Sequence, residues 1–487
     1  MNYSAAKSQH ILGGTIRIFL AEALLLPTGI VTAGFLTRQF GPEGYGLFTL
    51  AATLIAWVEW SVTSVFTRTT IKFVGEADDW HPVATTVLRL HLAVGCAAML
   101  LVWLCAYPIA NLLDERAIAM YLILFAIDIP LFCLAYAHRS ILVGVGGFNQ
   151  RANATAGRWI ARLLLILLLV ELGLSIPGAI LSTIGASIVE LAISRCYIRP
   201  SLLTRSSFPA RQLANYAVPL FMFALSMRLY DKLDLFALKV LGGTAAEAGF
   251  YGAAQNLSLI PGIFSLSFSP LLLSSLSRTL HNGDIASAKK MSQNALRAIA
   301  AMLTVAGIIA GAAPEIVQLI FGNAFLPTAP LLAILIFGAI ALAMISTTTA
   351  ILTAASKPNW TFVLTAPLVP LAVVGYTLVI PRWGAIGAAW VFTLCATFGA
   401  AVTVGAVYHL LRVLPPASTV ARSCLICASV YTIAAIVPTQ GLLLLLKLFG
   451  ITLLIPLFFW LLGEFSQAEI YQIILLIKSK LKHQKSH

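Results

Sequence analysis

The stretch FLTRQFGPEGYGLFTLAATL (residues 35–54) contains the end of one apolar segment, a short turn with glycine and proline, and the start of a second apolar segment. Apolar segments long enough to cross a hydrocarbon core of about 30 Å recur in this way along the whole chain. The sequence is 60% hydrophobic and 10% charged, whereas a soluble domain is about 25% charged. These features predict an all-α polytopic membrane protein with almost no soluble mass.

The 487 residues accommodate about fourteen transmembrane helices. The predicted spans are residues 11–35, 46–67, 87–112, 117–136, 159–176, 178–198, 213–241, 249–273, 295–321, 329–354, 362–380, 386–411, 420–437 and 442–462. Dips in hydrophobicity leave twelve or thirteen helices as alternatives. The N-terminal sequence MNYSAAKSQH lacks the apolar core and cleavage site of a signal peptide, so we expect the first helix to stay in the mature protein.

Basic residues outnumber acidic residues by 31 to 18, an excess that in a soluble protein would suggest nucleic-acid binding. With a cytoplasmic N-terminus, 23 basic residues fall at inner helix ends and in inner loops, whereas the outer loops hold Arg38, Arg116 and Arg382. This asymmetry follows the positive-inside rule. We therefore predict that both termini are cytoplasmic, that membrane lipids surround the chain and that it binds no nucleic acid.

The chain contains an internal repeat. Four positions match at a constant offset of 203: Gly46, Phe48, Ala51 and Leu54 correspond to Gly249, Tyr251, Ala254 and Leu257. Both copies lie where an outer loop opens a block of six helices. Parallel repeats that bind substrate at their interface are a common transporter architecture. We predict an N-terminal lobe (1–198), a cytoplasmic linker (199–212), a C-terminal lobe (213–411), two further helices (412–463) and a cytoplasmic interfacial tail (464–487).

The sequence carries no motif for metal binding, ATP hydrolysis or nucleophilic catalysis. Cys424 and Cys427 form a C-x-x-C pair, but they lie in an apolar segment where small membrane-helix residues are the simpler interpretation. A membrane glycan polymerase or ligase would need a large outer loop with catalytic Arg or His, and the predicted outer loops are short. We expect a protein that is not an enzyme and that uses no cofactor or metal.

Two stretches resemble a known family. RQFGPEGYGLF (residues 38–48) resembles the R-x-L-G-P-E-x-Y-G hairpin of bacterial polysaccharide and O-antigen flippases, with Phe40 where that family usually has Leu. LGGTAAEAGFYGAAQ (residues 241–255), preceded by Asp234, is similar to the family's D-…-LG-…-G-x-Y-x-A-A pattern. These flippases belong to the multidrug/oligosaccharidyl-lipid/polysaccharide exporter superfamily.

The resemblance implies two six-helix bundles around a central cavity in the bacterial inner membrane. It implies a transporter that flips a polyprenyl-diphosphate-linked oligosaccharide from the inner to the outer leaflet by alternating access, for export of O-antigen, lipopolysaccharide or exopolysaccharide. A glycan polymerase and the glycosyltransferases of the same pathway are the implied protein partners. The alternative is a proton- or sodium-coupled multidrug antiporter of the same superfamily.

Ionisable residues within membrane spans are costly and need a partner or a function. The predicted seventh helix carries Arg228, Asp231, Lys232 and Asp234. Arg228 and Lys232 lie one helical turn apart, and we predict that they bind the diphosphate, since guanidinium binds phosphate oxygens bidentately and ammonium acts as a point charge. Asp231 and Asp234 would compete for these cations or bind a coupling ion. Alternatively, the four residues form a self-neutralising cluster.

Three carboxylates of the first six helices are further candidates for ion coupling or cavity charge. Glu22 and Glu59 fall at similar predicted depths on adjacent helices, which suits a proton or cation site. Alternatively, the two side chains face different directions, because sequence does not determine helix rotation. Asp128 precedes Ile129-Pro130, and this proline predicts a helix kink at the third carboxylate.

Arg158 and Arg162 are four residues apart at the predicted cytoplasmic start of the fifth helix. We interpret them as charges that set the topology. Capture of a diphosphate at the mouth of the cavity is the alternative interpretation.

Overall fold

The computed structural model describes Arg17, residues 20–202 and residues 232–464, and this part of the chain is α-helical without strands. Arg228 and Asp231 of the predicted sites lie outside the described residues, as do most of the predicted linker and all of the predicted tail beyond residue 464. Nine helices of the described part are long and apolar enough to cross a membrane. The predicted all-α polytopic architecture is confirmed.

Seventeen α-helices follow one another within the described residues, and we number them in chain order. They are α1 (Leu25–Glu76), α2 (Trp80–Leu112), α3 (Arg116–Phe125), α4 (Asp128–Gly144), α5 (Phe148–Leu169), α6 (Ser175–Tyr197), α7 (Leu233–Val240), α8 (Ala245–Ser258), α9 (Ile260–His281), α10 (Ile285–Ala301), α11 (Leu303–Gly311), α12 (Ala313–Phe321), α13 (Thr328–Ala354), α14 (Pro358–Thr365), α15 (Leu368–Leu411), α16 (Ala417–Ile436) and α17 (Leu443–Leu461).

Three helical stretches are too long for one straight crossing of a bilayer. They contain 57, 50 and 53 residues, or about 75–85 Å at 1.5 Å per residue, whereas a bilayer with its headgroups is about 40–45 Å thick. A glycine with positive φ interrupts each stretch, at Gly41 (65°), Gly173 (87°) and Gly384 (54°), where a residue with a Cβ would be strained. Each stretch therefore divides into two helices, while the total of fourteen spans stays a prediction.

Pro130 divides the predicted fourth span. Helix α3 ends at Phe125, and α4 begins at Asp128. Proline has no N–H to donate to the carbonyl of Ala126. That carbonyl accepts its hydrogen bond from the Ile129 N–H, three residues along the chain instead of four, at 3.1 Å. The helix is thus interrupted beside the proline, and Asp128 lies in the first turn of α4 with its side chain fully buried.

Helices pack in two groups along the chain. In residues 1–198, which we call the first half, α4 packs against α1, α2 and α6, and α5 packs along α6. In residues 213–411, the second half, α13 packs against α8, α9, α11 and α15. Helix α16 packs against α10 and α11, and α17 against α16 and α11. The last two helices are therefore attached to the second half.

The two halves meet mainly where α1 crosses α8. A Cβ atom on Gly46 would lie 1.8 Å from the carbonyl oxygen of Ala245, and one on Gly249 would lie 2.2 Å from that of Pro42. Both distances are far below van der Waals contact, so only glycine permits this close approach of two helix backbones. The matching positions of the internal repeat thus contact each other.

Candidate functional site: a cavity between the two halves

A cavity of about 160 Å³ lies between the two halves. Helices α1 and α5 line it from the first half, and α8 and α12 line it from the second. Most lining side chains are aliphatic or aromatic. The polar ones are Thr28, Thr32, Tyr45, Trp159, Arg162 and Asn256.

Arg162 is the one charged residue that lines the cavity within the described part of the chain. It lies fourteen residues into α5, about 21 Å along the helix axis from its first residue. Among the described residues, no hydrogen bond or ion pair engages its guanidinium, and its Nε is buried without a hydrogen-bond partner. A cation held beside an apolar cavity is costly unless an anion joins it. Arg162 is therefore a candidate anion ligand.

A hydrogen bond between the halves borders the cavity. The side-chain amide of Asn256 on α8 donates to the hydroxyl of Tyr45 on α1 at 2.9 Å. The Tyr45 ring also meets Phe325 of the second half edge-on, with 5.8 Å between ring centroids. These contacts hold α1 against the second half beside Arg162.

The side of the cavity that the sequence assigns to the outside is closed by further contacts between the halves. Arg38 donates from Nη2 to the carbonyl oxygen of Leu319 at 2.7 Å. Lys239 Nζ lies 3.0 Å from Glu115 Oε1, and the lysine side chain is buried. Together with the glycine contact of α1 and α8, these bonds join the halves at the predicted outer end.

Two buried carboxyl groups lie behind Arg162 in the first half. Glu59 on α1 is 5% exposed and Asp128 on α4 is fully buried. The two side chains are neighbours and share the electrostatic field of Arg158 and Arg162. Neither oxygen of Asp128 has a hydrogen bond of ordinary length, and neither does Glu59 Oε1, although Ser187 lies beside Asp128. Buried carboxylates without hydrogen bonds are rare and mark a site that needs an explanation.

Glu190, which is fully buried on α6, forms the centre of an adjoining ion-pair network. Its Oε2 lies 3.0 Å from Arg158 Nη1, and its Oε1 lies 2.9 Å from Arg139 Nε. Arg158 also stacks over the Phe132 ring at 4.5 Å. Arg158 is thus fixed by two partners, whereas Arg162 remains available to the cavity.

Glu22 lies at the solvent-accessible edge of this network. It lies 3.5 Å from Arg151 Nη2 and 3.9 Å from Arg139 Nη1, and 41% of its side chain is exposed. Glu22 and Glu59 therefore have different partners, and the neighbour of Glu59 is Asp128. Depth alone could not predict this, because rotation about the helix axis decides which side chains meet.

The described residues of the predicted seventh helix are held by neighbours on α8. Lys232 Nζ donates to Gln255 Oε1 at 3.3 Å. Asp234 is buried and accepts hydrogen bonds from the Tyr251 hydroxyl at 2.8 Å, the Gln255 amide at 2.7 Å and the Leu235 N–H at 2.8 Å. The assignment of Lys232 to a diphosphate and of Asp234 to a coupling ion stays a prediction.

The cavity position of Arg162 was the less favoured of the two interpretations of the sequence. The predicted fifth span began at residue 159, whereas α5 begins at Phe148, eleven residues earlier. Polar residues of the first three turns, Asn149, Gln150, Arg151 and Asn153, lower the hydropathy there and hid this start. A helix pattern that placed Ala152, Thr155 and Arg158 on one face would have revealed it.

These observations define a class of protein: a polytopic α-helical membrane protein whose two packed halves enclose a cavity with a cationic side chain. Comparison with known proteins specifies the class further. The model of the polysaccharide biosynthesis protein family matches residues 35–330, more than half of the chain. The chain belongs to this family, as its sequence resemblance predicted.

A relative in sequence agrees with this assignment. A putative O-antigen transporter of Shigella flexneri is 28% identical over 188 residues, which cover 36% of this chain and 44% of the relative. The match thus spans less than half of that relative's length.

The fold is similar to three solved structures, each 15% identical in sequence. The lipid II flippase MurJ, in an inward closed conformation, aligns over 96% of this chain and all of that chain with a TM-score of 0.72. A transporter of the MOP superfamily from Pyrococcus furiosus aligns over 83% and 95% with a TM-score of 0.62. A mutant of a Vibrio cholerae MATE transporter aligns over 85% and 98% with a TM-score of 0.60. These three matches show that the chain shares their fold.

Proposed function

We propose that this protein flips a polyprenyl-diphosphate-linked oligosaccharide from the inner to the outer leaflet of the bacterial inner membrane, by alternating access of its two halves. We also propose that both termini are cytoplasmic, as the distribution of basic residues indicates. The observation that carries the proposal is the charge of the cavity: Arg162 faces it, and no carboxylate lines it within the described residues.

An anionic substrate explains this charge. A diphosphate in an apolar cavity would cost several kcal/mol without a fixed cation. The Arg162 guanidinium supplies that cation with a planar set of donors that matches phosphate oxygens. The aliphatic and aromatic remainder of the wall suits the prenyl chain beside the diphosphate. Arg228 and Lys232 stay further candidates for the same anion.

The size of the cavity supports a moving transporter. A volume of about 160 Å³ is smaller than the ~300–1,000 Å³ of sites that bury drug-sized ligands, and a lipid-linked glycan is larger still. The halves must therefore separate before the substrate can bind. Since bonds between the halves close the predicted outer end, opening toward the inner side would admit a substrate from the inner leaflet.

The shared fold of MATE transporters keeps a multidrug antiporter as the alternative function. A carrier can bind an organic cation with a carboxylate or with aromatic rings. Aromatic rings do line this cavity, but the Arg162 guanidinium beside them would repel a cation. The two buried carboxyl groups of the first half, Glu59 and Asp128, do not line the cavity. The cavity lining therefore favours the anionic lipid over a cationic drug.

Binding of a short polyprenyl diphosphate to the purified protein tests this proposal. Arg162→Ala should weaken binding about 10- to 100-fold, since hydrogen bonds to a charged group contribute about 1.5–3 kcal/mol. Arg162→Lys should restore it in part, because a point charge lacks the bidentate geometry. Arg382→Ala, which removes an exposed arginine, is the matched control and should bind normally. Equal affinity of the wild type and Arg162→Ala would contradict the proposed role of the cavity.

A further inference from the structure

We infer that Glu59 and Asp128 form a protonation site that is linked through Arg162 to the cavity, so that binding of a diphosphate is accompanied by uptake of one proton. This inference rests on the proposed function, since it assumes an anion in the cavity. It adds a second ligand, the proton, at a position that the substrate does not touch.

The geometry of the pair is the first support. Glu59 lies in the part of α1 that follows Gly41, and Asp128 lies in the first turn of α4. Two different helices therefore hold the carboxyls side by side in the protein interior. Both are more than nine-tenths buried, and both have oxygens without a hydrogen bond. Two adjacent carboxyls in such a place repel each other when both are ionised and are stabilised when they share a proton.

The surrounding charges are nearly balanced, and Arg162 is the arginine among them that lines the cavity. Four acids, Glu22, Glu59, Asp128 and Glu190, are matched by four arginines, Arg139, Arg151, Arg158 and Arg162. Three of those arginines are engaged by Glu22 and Glu190. The carboxyl pair is therefore balanced first by Arg158, whose charge it shares with Glu190, and then by Arg162.

Other titratable groups near the pair are few within the described residues. Cys133 on α4 lies close to both carboxyls, and Tyr45 on α1 lies close to Arg162. Glu190 on α6 faces Arg158 with an ion pair. His91 and His138 bond to backbone carbonyls of their own helices and do not contact the pair. The carboxyl pair and Arg162 are thus the groups whose charge can respond to the cavity.

An anion at Arg162 changes this balance. A diphosphate that binds the guanidinium neutralises the charge that the carboxyl pair shares, and two carboxylates would then face only Arg158. Uptake of one proton restores the balance. Thermodynamic reciprocity requires the converse, so protonation of the pair must strengthen diphosphate binding.

The sign of this linkage has a consequence for transport. Proton and anion bind together, which lowers the net charge that the apolar interior must hold when the substrate is present. A proton-coupled antiporter for cations needs the opposite sign, with proton and substrate in competition. A metal ion is a weaker candidate for the pair, because the described residues contain no group of three or more metal-ligating side chains and two arginines would repel a cation there.

Calorimetric titration of the purified full-length protein with farnesyl diphosphate tests the inference. Runs in buffers of different ionisation enthalpy give the number of protons taken up per ligand bound. The wild type should take up about one proton more than Glu59→Gln. Above neutral pH, the Kd of the wild type should rise with pH more steeply than the Kd of Glu59→Gln, with slopes that differ by up to about tenfold per pH unit. Glu59→Gln should bind at least as tightly as the wild type, because it imitates the protonated pair.

Asp128→Asn gives an independent route to the same result, and Glu171→Gln, which removes an exposed carboxylate, is the matched control with wild-type proton uptake. Identical proton uptake and pH slopes in the wild type and both amide variants would overturn the linkage and leave the flippase proposal intact. Absence of binding to the wild type would overturn the proposed function and the linkage with it. An affinity that follows sodium concentration instead of pH would also overturn the protonation site.

Discussion

Gly46 and Gly249 occupy equivalent positions in the two repeats, and they lie against each other where α1 crosses α8. The Gly46 position has the backbone nitrogen of Gly249 within 2.9 Å of where its Cβ would be. Because each half contributes the same glycine, the contact closes the predicted outer end symmetrically. Its geometry allows the closure to be tested directly.

Gly46→Ala should shift the protein toward a state in which the outer end is open. The added methyl group cannot fit 1.8 Å from the Ala245 carbonyl oxygen, and overpacking of this kind costs about 1–3 kcal/mol. Distances between spin labels at the exposed positions Arg116 and Leu326 should gain a longer population. Gly405→Ala, where no atom lies within 4 Å of the added Cβ, is the control. An unchanged distance distribution in Gly46→Ala would refute the closure.

Lys239→Ala should weaken the same closure by on the order of 1–3 kcal/mol, because it leaves the partly buried Glu115 without its partner. Exchange of the two charges, Lys239→Glu with Glu115→Lys, should restore much of the loss. The spin-label distances measure the effect in a double-mutant cycle. Additive effects of the two single variants would show that the ion pair does not join the halves.

Glu464 should anchor α17 in a pH-dependent way. Burial raises the pKa of its carboxyl, but hydrogen bonds from Thr419, Arg422 and Arg297 outweigh this and hold the pKa below its ordinary value. A depressed folded-state pKa stabilises the protein above the unfolded-state pKa, and this stability is lost as pH falls through the folded-state value. Glu464→Gln should therefore lower Tm at pH 7, and its difference from the wild type should vanish in acid. A pH-independent difference would disprove the ionic contribution.

Asp234→Ala should destabilise the protein by about 1–3 kcal/mol, since it removes the buried acceptor of hydrogen bonds from the Tyr251 hydroxyl and the Gln255 amide. Asp234→Asn keeps an acceptor oxygen and should be milder. Thermal melting in detergent measures both. If Asp234 instead binds a coupling ion, Asp234→Asn would stay as stable as the wild type but lose the response of transport to an ion gradient.

Features that depend on local sequence were predictable. The turn glycines Gly41 and Gly384 fall in predicted loops, Pro130 breaks a helix as its missing N–H requires, and the repeat predicted the equivalence of Gly46 and Gly249. Each follows from the covalent structure of one or two residues, which does not depend on the rest of the fold.

The candidate site was less predictable, because it depends on helix rotation and on where a helix with a polar first half begins. Depth paired Glu22 with Glu59, whereas the fold pairs Glu59 with Asp128. Hydropathy placed Arg162 at the membrane surface, whereas α5 begins eleven residues earlier than the predicted span and carries Arg162 into the interior. Tertiary packing alone determines both placements.

Translocation in reconstituted vesicles tests the central claim, that the protein moves a diphosphate-linked glycan across the membrane and that Arg162 binds its diphosphate. A fluorescent polyprenyl-diphosphate oligosaccharide is placed in both leaflets, and its movement is followed by quenching from outside. We expect the wild type and Arg382→Ala to exchange it between leaflets. Arg162→Ala, shown to be folded by a cooperative thermal melt, should do so at least tenfold more slowly. Equal rates in the wild type and Arg162→Ala, or transport of a cationic drug instead of the glycan lipid, would contradict the account.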